Sequence, residues 1–573
     1  MQRGWREALE ADIRHSDRAY VVLAVEGPMC APWHLVVGGV RDAAAAVGVS
    51  VAGLDMRREF RPWDEVLELT STPELADDPN FAKIPTIDLV DLVKVPRLPP
   101  RSKLPFDSDA EVLVLVYGPG AALVEHEVLW YADLPKRFAE ADVVAGRGRN
   151  LGQAADETGA TTKRLFYIDW PMLDRHRDAI ADRIDRFIDL QPAPSTDDVR
   201  PGRDASAPTS ISGSVLRRTV DQLVNNPIRT RPTFNTTPWG GQWAKRELGM
   251  NPEAENTALG YELIAPESGV LVGDSGSASV EIPFGMIVSM HPRRMLGPSV
   301  FQRFGPSFPI RFDYLDTVAG GNLSVHCHPQ DGYMWDVFGW PYTQHETYYL
   351  MVGGKKNKVF LGLRKHADID AFHSEADAAA RDGVEFDIEQ YVQTFPAVPH
   401  TLFVVPAGTP HGSGEGNVVL EVSATPYLYS LRFFDWLRRS SDGTQRPVHV
   451  EQAFDNLNTR RTGKAVRRDL IQTPSVIGSG TGWTQELLGA LPEMFFRVER
   501  VVLDGDQSVT LDTVDRFHVL NVVEGEGVLL TTPNGFRQRF AYAETFVVPA
   551  VVGSYSLTRI GNSRVRLVKA LVT

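Results

Sequence analysis

The chain has 573 residues, 43% hydrophobic and 23% charged, which is too long for one hydrophobic core and ordinary for a globular protein of two to four domains. Its formal net charge of −14 argues against a nucleic-acid or anionic-membrane partner, since either calls for a basic face; a small anion needs only a local cluster of arginines. Two cysteines, Cys30 and Cys327, exclude a disulfide framework and fit a reducing compartment.

In chain order, residues 5–18 read as a short amphipathic helix without the apolar core of a signal peptide. No stretch approaches the roughly 20 apolar residues of a membrane span, so the expected location is cytoplasmic. Tyr20–Val25 is a continuous apolar run suited to a buried strand. An alanine-rich helix near 38–47, strands at Val49–Asp55, Glu111–Tyr117 and Leu165–Asp169, and a long helix over Asp174–Leu190 follow. This alternation predicts an α/β domain with a parallel sheet over 1–190, then a Pro/Ser/Asp-rich linker, Gln191–Pro208, within a connecting region 191–225.

Beyond residue 225 the pattern changes to short β-branched and aromatic runs between Gly/Pro turns. They include Gly269–Val272, Leu323–His326, Thr347–Val352, Lys358–Leu363, Leu402–Val405 and Val418–Val422. A second set comprises Phe496–Leu503, Phe517–Val523, Gly527–Thr532, Glu544–Pro549 and Val565–Val572. The expectation is two tandem β-barrels, 226–480 with a helical insertion and 481–573.

His326 and His328 stand two residues apart in Leu323-Ser-Val-His-Cys-His-Pro-Gln. On a strand both imidazoles share a face and Cys327 points away. Glu346 opens the next apolar run, and His411 ends Val-Val-Pro-Ala-Gly-Thr-Pro-His. Three imidazoles and one carboxylate suit a divalent metal, zinc first, with manganese, iron and nickel also compatible.

Five segments occur in an order that resembles class I mannose-6-phosphate isomerases of the cupin superfamily. They are LSVHCHPQD (323–331), QHE (344–346), VPAGTPHG (405–412), RFFDWLR (432–438) and the strand Phe-Pro-Ile-Arg-Phe-Asp-Tyr-Leu-Asp (308–316). Pro238-Trp-Gly-Gly241 resembles the family's opening motif, and the resemblance covers about 230–573. It implies metal ligands His326, His328, Glu346 and His411, with His326 standing where the family carries glutamine. It implies a catalytic arginine at Arg432, a phosphate-holding arginine at Arg438, a substrate contact at Ser324, and Glu421 as base or base-orienting group. Gln344 occupies the place of the family's lysine, and glutamine can neither carry charge nor shuttle a proton. Lys355, Lys356 and His345 are the residues near enough in sequence to compensate. The C-terminal barrel has His518 alone and reads as a metal-free companion.

The implied activity is aldose–ketose isomerisation of a sugar phosphate, nearest to mannose 6-phosphate/fructose 6-phosphate interconversion, by a protein compatible with homo-oligomerisation. The alternatives are a catalytically altered sugar-binding regulator and a cupin enzyme acting on a different sugar. Three histidines and a glutamate are also an oxygenase's ligand set.

At the N-terminus, Val21-Val-Leu-Ala-Val-Glu-Gly27 followed by Pro-Met-Cys-Ala-Pro-Trp sits where a P-loop follows the first strand of a nucleoside- or uridine-kinase-like fold. Asp55-Met-Arg-Arg, Asp77-Asp-Pro-Asn-Phe and Tyr131-Ala-Asp-Leu-Pro-Lys-Arg137 extend that weaker resemblance over about 1–190. The loop has neither the lysine nor the Ser/Thr that phosphates and Mg²⁺ require, so a degenerate domain without phosphotransfer is expected.

Overall fold

The computed structural model describes residues 2–13, 20–107, 111–154, 156–192, 208–273, 279–424, 429–440 and 443–573. The chain divides into two compact units, one of Met1–Gln222 with Gly269–Met290, the other of Leu223–Ser268 with His291–Thr573. Most of the expected linker, residues 193–207, lies outside the described residues. No helix among those described is long and apolar enough to cross a membrane.

The first unit is built on a seven-stranded sheet. Five strands run parallel, in the spatial order Ser50–Asp55, Val112–Tyr117, Tyr20–Glu26, Val128–Asp133 and Arg186–Asp189. Thr209–Ser212 and Gln2–Arg3 close one edge antiparallel. The central strands are apolar at almost every position because helices cover a parallel sheet on both faces. Trp33, Val36 and Val40 of the helix Trp33–Ala45 pack on Leu23, Val25, Leu113 and Leu115.

Two sequence expectations fail here. Leu165–Asp169 is helical, forming a wide turn in one helical stretch from Thr162 to Ile180. Phe166 meets Trp170 four residues on, ring centroids 4.4 Å apart, which a helix permits and an extended strand does not. The Asp169 carboxylate accepts from the Leu151 amide at 3.0 Å and from Asn150 Nδ2 at 2.9 Å. The helix expected to continue to Leu190 stops at Ile180, and Arg186–Asp189 is the fifth parallel strand. Phe187 and Ile188 are buried there, and Arg186 is ion-paired to Asp12 at 2.6 Å. Two apolar residues between two charged ones, all four buried, have no period with which to distinguish strand from helix.

Gly269–Gly273, expected among the barrel strands, pairs with Ser279–Pro283 in a two-stranded hairpin that belongs to the first unit. Arg137 grips its Glu281 with both terminal nitrogens at 2.7 Å.

In the second unit a six-stranded and a five-stranded antiparallel sheet share one core. The six-stranded sheet runs Leu402–Val405, Glu346–Val352, Val418–Ala424, Ile310–Asp316, Leu259–Leu263 and Thr233–Asn235. The five-stranded sheet runs Val392–Ala397, Gly354–Leu363, His411–Ser413, Val325–Cys327 and Leu431–Phe434. Tyr348, Leu350 and Val419 of the first meet Val359 and Leu361 of the second. The helix Ile369–Asp382 is inserted between Gly354–Leu363 and Val392–Ala397. A second pair of sheets, seven- and four-stranded, encloses its own core of Val501, Leu520, Phe540, Phe546 and Leu567. The molecule is thus a multidomain β/α protein.

Glu262 sits at a bulge between Tyr261 and Leu263 and is buried, so burial pushes its carboxyl up to about 8, with hydrogen bonds from Thr545 opposing. The folded chain therefore keeps a proton that the unfolded chain releases between its ordinary 4.5 and 8, and stability falls as pH rises through that window. Glu262→Gln removes the ionisation. The variant is expected to gain on the parent by about 1.4 kcal/mol for each pH unit within the window, read from urea denaturation midpoints.

Candidate metal centre

The strand Val325–Cys327 carries His326 inward, and His328 follows on the same side; Cys327 turns away, its Sγ 3.6 Å from the Ala453 carbonyl. His411 opens the strand His411–Ser413 and is the direct cross-strand partner of His326. The turn before it is closed by Gly408, at φ +76°, where a Cβ would lie 2.4 Å from the Asn456 carbonyl. The Gly408 amide donates to the His328 carbonyl at 2.9 Å, tying the turn to the histidine strand. Glu346 begins its strand between Val405 and Ser423 of the facing sheet. As a result, ligand atoms of His326, His328, Glu346 and His411 all lie within 4.8 Å of one another, and all four residues are buried.

Each imidazole is held from behind by a backbone carbonyl. Nδ1 of His326 lies 3.0 Å from Ser324 O, that of His328 3.1 Å from Tyr429 O, and that of His411 2.8 Å from Thr409 O. A carbonyl only accepts, so Nδ1 carries the proton and the Nε2 lone pairs face the cluster, the arrangement that orients histidine ligands in metal sites. Glu346 then presents Oε1 2.7 Å from His328 Nε2 and Oε2 3.0 Å from His411 Nε2. The His328 Nε2 is buried with no hydrogen-bond partner. Lone pairs on nitrogen and carboxylate at that separation repel unless a cation lies among them, so the donor set fits a divalent ion.

The protonation states agree. Burial, then the neighbouring imidazoles, holds His326 well below the ordinary histidine range, and burial likewise lowers His328 despite Glu346 beside it. Burial alone would raise Glu346, but His328 and His411 outweigh it and hold the carboxyl well below the usual range. His326 and His328 are thereby held neutral and Glu346 ionised, the forms that bind metal.

Behind Glu346 lies a second layer, of which sequence reasoning named Glu421 and passed over Arg311 and Asp313. Arg311 is buried on the strand Ile310–Asp316, with Nη2 3.0 Å from Glu421 Oε1, Nε 2.7 Å from Ser423 Oγ and Asp313 at 3.6 Å. Burial, then Asp313 and Glu346, pushes Glu421 well above the carboxylate range, and it shares a hydrogen bond with Glu346. Burial raises Asp313 to about 7 against the pull of Arg311. The signal was present in the 308–316 segment: Arg311 and Asp313 alternate with Ile310, Phe312 and Tyr314 in a buried strand, a costly pattern without a partner.

The other candidates fall as follows. Gln344 Nε2 donates to Glu346 Oε1, so it braces a ligand. The Ser324 hydroxyl lies 3.2 Å from His326 Nδ1, again against a ligand. Arg432 is the cross-strand partner of His326 and donates to the Pro447 carbonyl at 3.0 Å. Arg438 is engaged by Asp435 at 2.8 Å and by the Asn322 carbonyl, while Arg446 takes the other Asp435 oxygen at 2.7 Å. Lys355 and Lys356 are exposed. His345 accepts from the Ala407 amide at 3.1 Å and lines a cavity of about 730 Å³ with Gln330, Asp331, Arg460 and Arg461. His518 lies against the Tyr555 hydroxyl at 2.9 Å.

Because Gln344 braces Glu346, Gln344→Leu is expected to weaken zinc binding by about 10- to 100-fold while leaving the ligand set intact. Competition against a chromophoric chelator measures it; unchanged affinity would remove glutamine from the supporting shell.

Residues 4–225 match the family described as "Domain of unknown function (DUF8485)". The chain is 25% identical over 304 residues to the mannose-6-phosphate isomerase of Streptococcus mutans, covering 52% of this chain and 86% of that protein. It is 24% identical over 346 residues to mannose-6-phosphate isomerase ManA of Bacillus subtilis, covering 58% and 96%. Among solved structures, the mannose 6-phosphate isomerase of Bacillus subtilis superposes with a TM-score of 0.49 at 20% identity, covering 60% of this chain and 99% of that one. A putative mannosephosphate isomerase from Archaeoglobus fulgidus gives 0.46 at 19%, covering 61% and 98%. A mannose-6-phosphate-isomerase-like cupin fold thus extends over part of the chain. A P-loop kinase-like domain finds no such support. In the first unit the amides of Gly27, Gly120 and Ala122 all donate, at 3.0–3.1 Å, to the chain's own Glu26 carboxylate, where a phosphate would need them.

Proposed function

We propose that the chain is a metal-dependent aldose–ketose isomerase of a sugar phosphate, nearest to mannose 6-phosphate/fructose 6-phosphate interconversion. The observation that carries this reading is the buried cluster of His326, His328, Glu346 and His411, each imidazole turned ligand-side inward by a backbone carbonyl. The sequence likeness to mannose-6-phosphate isomerases over the segment that contains it supports the substrate class.

These four residues would hold the ion, and when bound it supplies Lewis acidity to a sugar oxygen. The rest falls to the chain. Isomerisation moves a proton between C1 and C2 and develops negative charge on oxygen, which calls for a positioned cation. Arg432, across the strand from His326, is our assignment for that role, and a planar guanidinium suits adjacent oxygens. Glu421 holds a proton towards Glu346 and is itself held by Arg311, which makes it a positioning residue. Ser324 and Gln344 orient His326 and Glu346. Arg438 would serve the phosphate from its place on Asp435.

Gln344 also favours a second reading. Its amide braces a ligand but cannot move a proton, as a sugar-binding regulator would tolerate. Zinc- and manganese-loaded protein, assayed for interconversion of hexose 6-phosphates and by calorimetry with the same compounds, separates the two. Turnover supports the isomerase. Saturable binding without turnover leaves the regulator, and absence of both sinks each.

A further inference from the structure

The first unit has a crevice that the metal chemistry does not use. It is a cavity of about 620 Å³ at the carboxyl ends of three adjacent parallel strands, bounded by Trp33, Asp55, Arg57 and Tyr117. That volume is in the range of small-molecule sites, and the carboxyl edge of a parallel sheet is where α/β proteins take ligands. In a chain of net charge −14, five arginines converge on it: Arg41, Arg57, Arg58, Arg147 and Arg149.

Two of the five are aimed by carboxylates. Asp55 holds Arg57 through Nε at 2.8 Å and Nη2 at 2.7 Å, and Asp142 holds Arg147 at 2.8 Å. Arg41, Arg58 and Arg149 make no ion pair among the described residues. The thirteen-residue helix Trp33–Ala45 starts at the same place without a side-chain cap, adding the positive end of its dipole. The guanidinium of Arg57 also stands over the Tyr117 ring at 5.8 Å, and Tyr117 lies 6.1 Å from Trp33. Uncompensated guanidinium groups around a concave, partly aromatic floor match a dianion attached to a small organic body.

We propose that this crevice binds a phosphate ester. Binding without phosphoryl transfer follows from the lining, which contains no lysine, serine or threonine. Nearby, the backbone amides that could cradle a transferred phosphate are taken by Glu26.

The test is calorimetric titration of the full-length protein with AMP, ribose 5-phosphate and inorganic phosphate, repeated on Arg58→Ala/Arg149→Ala and on Glu346→Gln. Arg58 is exposed and Arg149 half-buried, so truncating them leaves the core alone; circular dichroism checks this. One of the two esters is expected to bind saturably, more tightly than inorganic phosphate. The double variant should weaken that binding about a hundredfold, since each charge-assisted contact is worth about tenfold. Glu346→Gln should leave it unchanged, which separates this site from the metal centre. Failure of both esters to bind, or equal binding by the double variant, overturns the proposal. Loss in Glu346→Gln alone overturns it too, by assigning the binding to the metal centre.

Discussion

Glu346→Gln is expected to abolish zinc retention and, with it, sugar-phosphate isomerisation. Glu346 is the one carboxylate in a set of three imidazoles, and both of its oxygens face histidine nitrogens, at 2.7 and 3.0 Å. Glutamine keeps the shape but replaces one carboxylate oxygen by an amide group that donates and does not ligate. The loss of affinity should therefore exceed the about 10- to 100-fold expected of a residue that only supports a ligand. Metal analysis after gel filtration reads the first effect and a coupled isomerase assay the second. A variant that keeps a full equivalent of zinc would show that the ion is held elsewhere. One that loses zinc but keeps turnover would sink the proposed function and leave the site standing.

The second large effect concerns Arg311. Its guanidinium is buried among Glu421, Asp313 and Ser423, with Glu346 beyond, so Arg311→Met leaves carboxyl groups without the cation that compensates them. Breaking a buried pair from one side costs about 3–5 kcal/mol. The deficit should appear in urea denaturation above neutral pH. It should shrink as the pH falls through about 7, because Asp313, raised to about 7, takes up a proton and no longer needs the cation. Arg311→Met/Asp313→Asn, which above neutral pH removes a charge from each side, is expected to recover part of the loss. A deficit independent of pH, with no recovery in the double variant, would assign the effect to packing instead.

The four candidate ligands were legible in the sequence because they lie in short patterns with their own geometry. His326 and His328 share a face by strand alternation, and His411 ends a Gly/Pro turn. Gln344 was legible as a departure, although its contact with Glu346 was not. Arg438 was assigned to phosphate from its motif; that its guanidinium also holds Asp435 and the Asn322 carbonyl was not legible there. A motif position says nothing about the pairs a guanidinium forms with residues over a hundred positions away.

By itself the sequence determined the α/β character of the first part, the β-rich character of the rest, and the four residues able to hold an ion. These follow from period and composition, which are local. Only the tertiary structure decided that Leu165–Asp169 is helical, that Arg186–Asp189 is a strand, and that the paired strands Gly269–Gly273 and Ser279–Pro283 belong with the first unit. It alone placed Arg311, Asp313 and Glu421 behind Glu346, and five arginines around one crevice. Buried apolar runs carry no period of their own, and charge compensation is settled between residues distant in the chain. Both become visible only when the strands are paired.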